Sequence, residues 1–310
     1  MRTHLLAPRP FLAAVLVALI SLSPAPTLAA GTTAPNTKAP DLMNTPRPLF
    51  FSDLVPFDTE RHRTLRLPAE RKNFAFAAPA NLLPLTFAEV GQALRHYPVV
   101  LIAEGDNLGL VAITGLGNSG NRFVDANGEW RAGAYIPAYV RGYPFIAVRP
   151  NEKTEPVLAF DPQAADFKHA GGQLLIGTDG TPSEQMKGIV AFQGEYRQLA
   201  ERTLAMTHAL KEAGVLEEGS LQLQAQDGGE AQRIGGFLVV SEAKLKALPA
   251  EALKKLMEAD ALGLAYAQLL SMVSLGNVFA EPANANTVPP APTVTPDQPK
   301  AKPTRKQKAV

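Results

Sequence analysis

The sequence predicts an α+β protein in which an antiparallel β meander is followed by a hairpin and two long C-terminal helices. The first observation is a series of short, apolar, β-branched segments that are joined by turns without helical crossovers. The second is a hairpin pattern, in which alternating residues from Leu221 lead to the turn at 227–229 and the chain returns at Phe237. The third is an apolar stripe of helical period that ends before Gly214.

A short helix is predicted before the strands of the meander. Thr86 and Glu89 form a T-x-x-E capping box, and Pro98 limits the helix that it opens. Apolar runs then predict strands, and Asn127-Gly128 predicts a tight turn because both residues tolerate positive φ. The predicted strands cover residues 99–104, 108–116, 135–148 and 155–161, and residues 121–130 are predicted to form a strand and then the turn at Asn127-Gly128.

Two long helices complete the predicted fold. The first carries the apolar stripe, which consists of Phe192, Tyr196, Leu199, Thr203, Met206 and Leu210. The second follows Ser241 and Pro249 and runs through residues 250–275. Residues 261–280 are uncharged, but polar side chains such as Gln268 interrupt them. We therefore interpret this segment as a buried core helix rather than a transmembrane helix.

Composition divides the chain into four parts. Residues 1–29 have the basic, apolar and small-residue regions of a secretory signal peptide, with cleavage expected after Ala29. An uncleaved membrane anchor is the alternative, although the apolar run is shorter than the roughly 20 residues that span a bilayer. Residues 30–48 are predicted to be a flexible linker, and residues 49–280 the folded domain. Residues 281–310 form a Pro-rich, basic tail that is expected to be disordered and able to touch anionic envelope polymer or lipid.

Composition also excludes several kinds of site. The formal net charge is +1, which gives no bias toward nucleic acid. The absence of cysteine excludes disulfides, thiolate metal sites and a cysteine nucleophile. The histidines lack metal-ligand spacing, and no nucleophile elbow occurs, so we predict no catalytic residue, no metal site and no cofactor.

A glycine motif tests the possibility of a nucleotide site. Gly115, Gly117 and Gly120 have the spacing G-x-G-x-x-G and follow an apolar strand. A dinucleotide fingerprint requires a helix immediately afterwards, because the helix N-terminus faces the pyrophosphate. Residues 121–130 predict a strand and a turn instead. We interpret the glycines as part of a loop between strands.

The candidate binding surface is an aromatic face on the predicted strand at 135–146. Alternate residues on one side of this strand are Tyr135, Tyr139, Arg141 and Tyr143, and Trp130 lies just upstream. Flat rings and a guanidinium group can stack on a sugar, a peptide or a partner protein. The alternative is that the C-terminal helices cover this face and the tyrosines belong to the core.

Several of these stretches together resemble the bacterial SapC family. They are "VPFDTERHRTLRL", "PLTFAEVGQALRHYPVVLI", "NRFVDANGEWRAGAYIPAYVRGYPFIAV", "VLAFD" and "GGFLVVSEAKLKALPAEALKKLMEADALGLAYAQLLSMVSLGN". The family takes its name from a component associated with a bacterial surface layer, and it offers no established catalytic residues to transfer. Its members often occur alongside outer-membrane uptake receptors, so the resemblance implies a role in the cell envelope. Many relatives begin close to the domain, whereas this chain has an export signal and a long basic tail.

These observations predict an exported protein of the periplasm or cell surface, acting as a non-catalytic surface-layer-associated or binding module. Its expected partners are an envelope glycan, a peptide, or a surface-layer or outer-membrane protein. The alternative is an envelope enzyme that acts on a glycan or peptide through carboxylates converging in a cleft at about 5 to 10 Å. The candidate carboxylates are Glu104, Asp106, Asp125, Glu129 and Asp161.

Overall fold

The structure is a computed structural model that describes residues 3–5, 42, 47–117, 119–150, 154–168, 171–223 and 232–279. The predicted tail at 281–310 and the predicted hairpin turn at 227–229 lie outside the described residues. So do most of the predicted signal peptide and most of the predicted linker. The expectations for these segments stay predictions.

The described chain forms three β-sheets with helices packed against them. The strands, in chain order, are β1 (Thr3–Leu5), β2 (Val55–Pro56), β3 (Arg66–Leu67), β4 (Leu82–Pro84), β5 (Val99–Glu104), β6 (Asn107–Ile113), β7 (Phe145–Val148), β8 (Val157–Phe160), β9 (Gln173–Leu174), β10 (Leu216–Leu223) and β11 (Gln232–Val240). The main sheet has the order β1-β11-β5-β6-β4, and β10 pairs with β11. All its pairings are antiparallel except that of β1 with β11. The two smaller sheets are β2-β8-β7 and β3-β9.

Seven α-helices accompany these strands in the described part of the chain. They are α1 (Phe87–Ala93), α2 (Ala138–Gly142), α3 (Glu184–Glu212), α4 (Glu242–Lys246), α5 (Ala250–Glu258), α6 (Ala261–Ser271) and α7 (Gly276–Phe279). The predicted α+β class is confirmed, with hairpins at β5–β6, β7–β8 and β10–β11. The helix predicted from the apolar stripe is α3, which begins after the N-cap Ser183 and is followed by Gly214 at φ 68°.

The core lies on both faces of the main sheet. Alternate residues of β5 point to opposite sides, as a pleated strand requires. Val99 and Leu101 pack in a cluster with Met206 and Leu210 of α3 and with Leu264 of α6. The other face buries a second cluster, formed by Val100, Ile102, Val111, Ile113 and Phe237 with neighbouring apolar residues. Two further clusters pack around the smaller sheet that contains β7 and β8.

The prediction of a second long, continuous helix is wrong, because the segment is divided into shorter helices. Residues 250–279 form α5, α6, a 3₁₀ turn at Met272–Leu275 and α7. The break between α5 and α6 occurs at Asp260, which adopts a left-handed conformation at φ 57°. The Asp260 carboxylate pairs with Arg202 of α3, so an ion pair accompanies the bend.

The segment Ala261–Val278 is apolar and long enough to cross a membrane by length and composition. One side of it nevertheless belongs to the core, because Leu264, Ala265, Gln268 and Ser271 are fully buried. The Gln268 amide donates to the carbonyl of Val99 at 3.0 Å and accepts from the N–H of Val240 at 2.9 Å. It therefore joins the backbones of β5 and β11.

Two predicted strands are wrong in whole or in part. Residues 121–130 form turns with an isolated bridge between Val124 and Trp130, although the turn at Gly128 is present, with φ 79°. Residues 135–148 form α2 and then β7, because Pro137 and Pro144 cannot donate backbone hydrogen bonds to a continuous ladder. Pro137 instead occupies the N-cap position of α2.

The glycine motif forms a tight loop after β6. Gly117 and Gly120 adopt positive φ of 56° and 67°. A Cβ at Gly115 would overlap the carbonyl oxygen of Gly120, so this position requires glycine for the close approach of two backbone segments. The loop is followed by turns rather than by the helix that a dinucleotide fingerprint requires.

Candidate functional site

A buried carboxylate organises the region that contains the predicted binding residues. Glu89 of α1 is only 5% exposed. Its Oε2 accepts from the N–H and the hydroxyl of Thr86, at 2.9 and 2.8 Å, which completes the predicted capping box. Its Oε1 accepts from the Tyr135 hydroxyl at 3.0 Å and from the N–H of Ala138 at 2.5 Å. Glu89 therefore links the start of α1 to the start of α2.

A partly buried cation holds the other end of α2. The Arg71 guanidinium donates to the carbonyls of Val140, Arg141 and Tyr143, which are at the end of the helix. Its Nε also pairs with Asp166 at 3.0 Å, and the two side chains are 13% and 12% exposed. Because α2 has five residues, it is too short to be stable alone, and these contacts at its two ends fix its position.

Two of the predicted site residues are core residues. Tyr139 and Tyr143 are 5% and 6% exposed and lie in one apolar cluster. The Tyr139 hydroxyl donates to the carbonyl of Leu49 at 2.8 Å, and that of Tyr143 donates to Asp161 at 3.3 Å. Burial raises the pKa of both phenols, and the Asp161 carboxylate raises that of Tyr143 further. The strand geometry predicted for this face is therefore wrong, since the helix turns these two rings inward.

Tyr135 and Arg141 remain at the surface and contact each other. The Arg141 guanidinium lies 5.8 Å from the centre of the Tyr135 ring and 5.4 Å from that of Phe192 in α3. Its Nη2 donates to the Tyr135 hydroxyl at 3.2 Å, and its Nε donates to the carbonyl of Ile136 at 3.1 Å. We call Tyr135, Arg141 and Phe192 the Arg141 patch. Arg141 is exposed, whereas the two rings are half-buried.

The electrostatics of the patch are set by the groups beneath it. Burial raises the pKa of Tyr135 to about 12, and the nearby Glu89 carboxylate adds to this effect. Tyr135 therefore stays protonated and donates its hydrogen to Glu89. The patch presents one exposed cation whose Nη1 has no acceptor in the part of the chain that the structure describes.

Trp130 and Tyr135 pack against the same core cluster, but Trp130 makes different ring contacts. It is half-buried, and its ring packs edge-on against Phe74 with the centroids 5.6 Å apart. It also pairs by a backbone bridge with Val124, which closes the turn at 125–128. The structure therefore brings together Tyr135 and Arg141 at the surface and Tyr139 and Tyr143 in the core.

The candidate catalytic carboxylates differ in their hydrogen-bond partners and in their exposure. Asp161 follows β8, is fully buried, and accepts from the N–H groups of Ser52 and Gln163. Asp125 accepts from the N–H groups of Asn127 and Glu129 within its own turn. Asp106 and Glu129 have exposed side chains. In the described residues, no group of three or more His, Cys, Asp or Glu side chains is arranged to hold a metal ion.

Glu104 differs from the other carboxylates. It ends β5 on the sheet face that also carries Val100 and Ile102. Both of its carboxylate oxygens are shielded from solvent and have no hydrogen-bond partner among the described residues. Burial raises its pKa from 4.5 to about 7.

A model of the SapC family matches residues 57–277, which is most of the chain. The chain belongs to the SapC family. No curated protein and no solved structure matches it. The family assignment therefore covers α1 to α6 and includes every residue of the Arg141 patch.

Sequence reasoning missed three residues that shape the Arg141 patch. Phe192 belongs to the predicted stripe of α3, but periodicity does not show that its ring lies half-buried beneath Arg141. Glu89 was identified only as a capping residue, although it also binds Tyr135 and Ala138. Arg71 carries no local sequence signal, since all its hydrogen-bond partners are at least 69 residues away.

Proposed function

We propose that this SapC-family chain is an exported, non-catalytic envelope protein that binds its ligand at the Arg141 patch. The observation that carries this proposal is an exposed guanidinium held in place by two internal hydrogen bonds and two aromatic rings. A pre-organised guanidinium loses little entropy on binding and can accept a planar anion at its free donors. The surface-layer association implied by the family name is consistent with a binding module of this kind.

The disposition of the acidic side chains supports binding over catalysis. Asp161 and Asp125 are committed to backbone donors that hold loops in place. Glu104 lies in the main sheet, whereas Asp161 follows a strand of a separate sheet. Acid–base chemistry on a glycan needs two carboxyl groups on either side of one bond.

The chemistry of the patch suits a ligand with a carboxylate beside a flat or ring-shaped group. The guanidinium can form paired hydrogen bonds with a carboxylate, while Tyr135 and Phe192 offer apolar edges for stacking. Acidic peptide stems attached to sugars, as in peptidoglycan, combine these features. We therefore propose an acidic envelope glycan or peptide as the ligand class.

Sedimentation with purified peptidoglycan tests this proposal. The purified protein should sediment with the polymer, and Arg141→Ala should weaken binding by about tenfold or more because it removes the charged fork. Arg141→Lys should restore only part of the affinity, because an ammonium group keeps the charge but lacks the planar geometry. The matched control is Arg63→Ala, which removes an exposed arginine from another part of the surface. Equal binding by the Arg141→Ala variant would contradict the assignment.

Export is tested separately by cell fractionation. The proposal expects the protein in the periplasmic or surface fraction, with a mature N-terminus at Ala30 by mass spectrometry. An intact Met1 in the cytoplasm or inner membrane would contradict export. The peptidoglycan measurement uses purified protein, so it tests binding independently of the result for export.

The alternative function, an envelope enzyme, rests on Glu104. A carboxyl group with a pKa near neutrality can exchange a proton at working pH. Incubation with peptidoglycan and chromatography of the soluble fragments measures this activity directly. Release of fragments by the protein, and its loss in Glu104→Gln, would favour the enzyme and refute the non-catalytic proposal.

A further inference from the structure

A group of basic residues is not explained by ligand binding at the Arg141 patch. Arg95 and His96 lie in the turn that follows α1, and Arg131 lies in the loop that precedes α2. Arg95 is exposed, whereas His96 and Arg131 are half-buried. We call these three residues the basic cluster. None of them belongs to the Arg141 patch.

Asn277 of α7 holds the two parts of the basic cluster together. Its side-chain amide donates to the backbone carbonyl of Arg95 at 3.3 Å and to that of His96 at 3.1 Å. Its backbone carbonyl accepts from Nη1 of Arg131 at 3.3 Å. The turn after α1 and the loop before α2 are therefore fixed to the same residue, and the three basic residues meet around it.

Further contacts fix the Arg131 guanidinium. It lies 4.2 Å from the centre of the buried Phe123 ring, which packs against Tyr97 with the centroids 4.5 Å apart. Its Nη2 donates to the carbonyl of Arg122 at 2.9 Å. Each Nη atom carries two hydrogens, and one on each atom has no acceptor in the part of the chain that the structure describes. The guanidinium therefore has free donors and needs little reorganisation to bind an anion.

The charge of the basic cluster is not balanced by paired carboxylates. Neither Arg95 nor Arg131 forms an ion pair with an acidic side chain among the described residues. Burial lowers the pKa of His96, and the like charges of Arg95 and Arg131 lower it further. Tyr97 also adjoins His96, but burial raises its pKa and keeps it neutral. A bound anion would therefore relieve repulsion within the cluster.

The arrangement favours a tetrahedral anion over a carboxylate. A carboxylate presents two coplanar oxygens, which a single guanidinium fork can satisfy. A phosphate monoester presents three oxygens and a charge of about −1.5 to −2 at neutral pH, so it can contact donors that approach from different directions. The basic cluster supplies such donors, because Arg95 and His96 belong to one segment and Arg131 to another.

We propose that the basic cluster binds a phosphoryl group, with Arg95 and Arg131 supplying charged hydrogen bonds and His96 a further donor. The same chemistry recognises the phosphoryl group of a soluble molecule and that of a lipid headgroup. Because the cluster shares no residue with the Arg141 patch, phosphate binding and peptidoglycan binding report on different sites.

Calorimetric titration of the full chain with inorganic phosphate, at constant ionic strength, tests this proposal. We expect saturable binding, and binding that is about fivefold weaker or more for Arg95→Ala, because one cation is lost from the contact. This variant should fold normally, since the hydrogen bonds of Arg95 in the described chain are made by its backbone. The matched control is Arg63→Ala, which removes an exposed arginine elsewhere and should leave the affinity unchanged.

The pH dependence of sulfate binding tests the role of His96. Sulfate is also tetrahedral, and it keeps both charges over the range in which histidine titrates. A bound dianion raises the pKa of His96, so the protein takes up a proton on binding. The sulfate affinity should therefore rise about threefold or more as the pH falls from about 8 to about 6. His96→Gln keeps a hydrogen-bond donor that does not titrate, and it should remove this dependence.

Vesicles distinguish the two sources of the phosphoryl group. Co-sedimentation with phosphatidylcholine vesicles that contain phosphatidic acid, weakened by Arg95→Ala, would assign a lipid headgroup. Phosphate binding without vesicle binding would assign a soluble ligand. All variants carry the same N-terminus, so any contribution from residues 1–29 cancels.

Three results would overturn the proposal. The first is that the unmodified protein binds neither inorganic phosphate nor sulfate. The second is that Arg95→Ala binds phosphate as tightly as the unmodified protein. The third is that acetate binds as tightly as phosphate and competes with it, which would assign the basic cluster to carboxylates instead.

Discussion

Substitution of Glu104 by glutamine should make the protein more stable, and more so at high pH. Both carboxylate oxygens of Glu104 are shielded from solvent without a hydrogen-bond partner among the described residues. Burial therefore disfavours the charged form and raises its pKa from 4.5 to about 7. Glutamine has nearly the same shape but carries no charge, so it removes the electrostatic penalty while keeping the packing.

The sign and size of the effect follow from the two pKa values. Below about pH 4.5 the group is protonated in both the folded and the unfolded chain, and it costs nothing. As the pH rises from 4.5 to beyond 7, the unfolded chain ionises first, so the folded state loses stability over this range. The difference of about 2.5 between the pKa values corresponds to an upper limit of about 3.4 kcal/mol. Because the side chain is only partly buried, solvent screening reduces the expected penalty to about 1–2 kcal/mol.

Urea denaturation of the protein and of Glu104→Gln at pH 5 and pH 8 measures this effect. The variant should gain about 1–2 kcal/mol relative to the unmodified protein at pH 8, and only a few tenths at pH 5. Glu129→Gln, at an exposed position, controls for the loss of one negative charge. The reasoning is refuted if the difference between the two proteins is the same at both pH values, or if glutamine destabilises the protein at pH 8.

Three other predictions concern the framework of the site. Tyr139→Ala with Tyr143→Ala should lower the free energy of unfolding by more than about 4 kcal/mol, since both rings are buried; an unchanged thermal midpoint would instead place them on an accessible face. Glu89→Gln should cost about 2–3 kcal/mol in urea denaturation, because its amide N–H₂ replaces an oxygen that accepts two hydrogen bonds; a loss below about 0.5 kcal/mol would contradict this role. Arg71→Lys should lower the thermal midpoint by several degrees, because lysine cannot bind three carbonyls and Asp166 together, and an unchanged midpoint would show that these contacts contribute little.

Sequence reasoning succeeded where one local signal decides the structure. The capping box at Thr86 and Glu89, the strands β5 and β6, and the end of α3 near Gly214 all follow from short patterns and are present in the structure. These elements form the main sheet and its helical cover. Each pattern is contained in a short stretch of neighbouring residues. It can therefore be interpreted without knowledge of distant contacts.

The prediction failed at α2, where distant contacts hold a short helix that the local pattern does not indicate. Alternating aromatic and aliphatic residues at 135–146 fit a strand with two faces. Pro137 and Pro144 interrupt a continuous ladder there, and the short helix that forms instead is held by Glu89 at its first N–H group and by Arg71 at its last carbonyls. Neither partner is near in sequence. The same cause applies to α5 and α6, whose break at Asp260 is accompanied by an ion pair with Arg202 of α3.

The two charges at the ends of α2 also support the proposal that the Arg141 patch binds a ligand. A carboxylate at the first turn of a helix and a cation at its last turn both complement the helix dipole. Glu89 contacts the first turn of α2 and Arg71 contacts its last turn, both from other parts of the chain. The charges that stabilise the helix therefore also fix its direction. Arg141 lies on this helix and gains a third constraint from Tyr135, which is itself bound to Glu89. The exposed guanidinium is thus held by a buried network, and its position does not depend on a flexible loop.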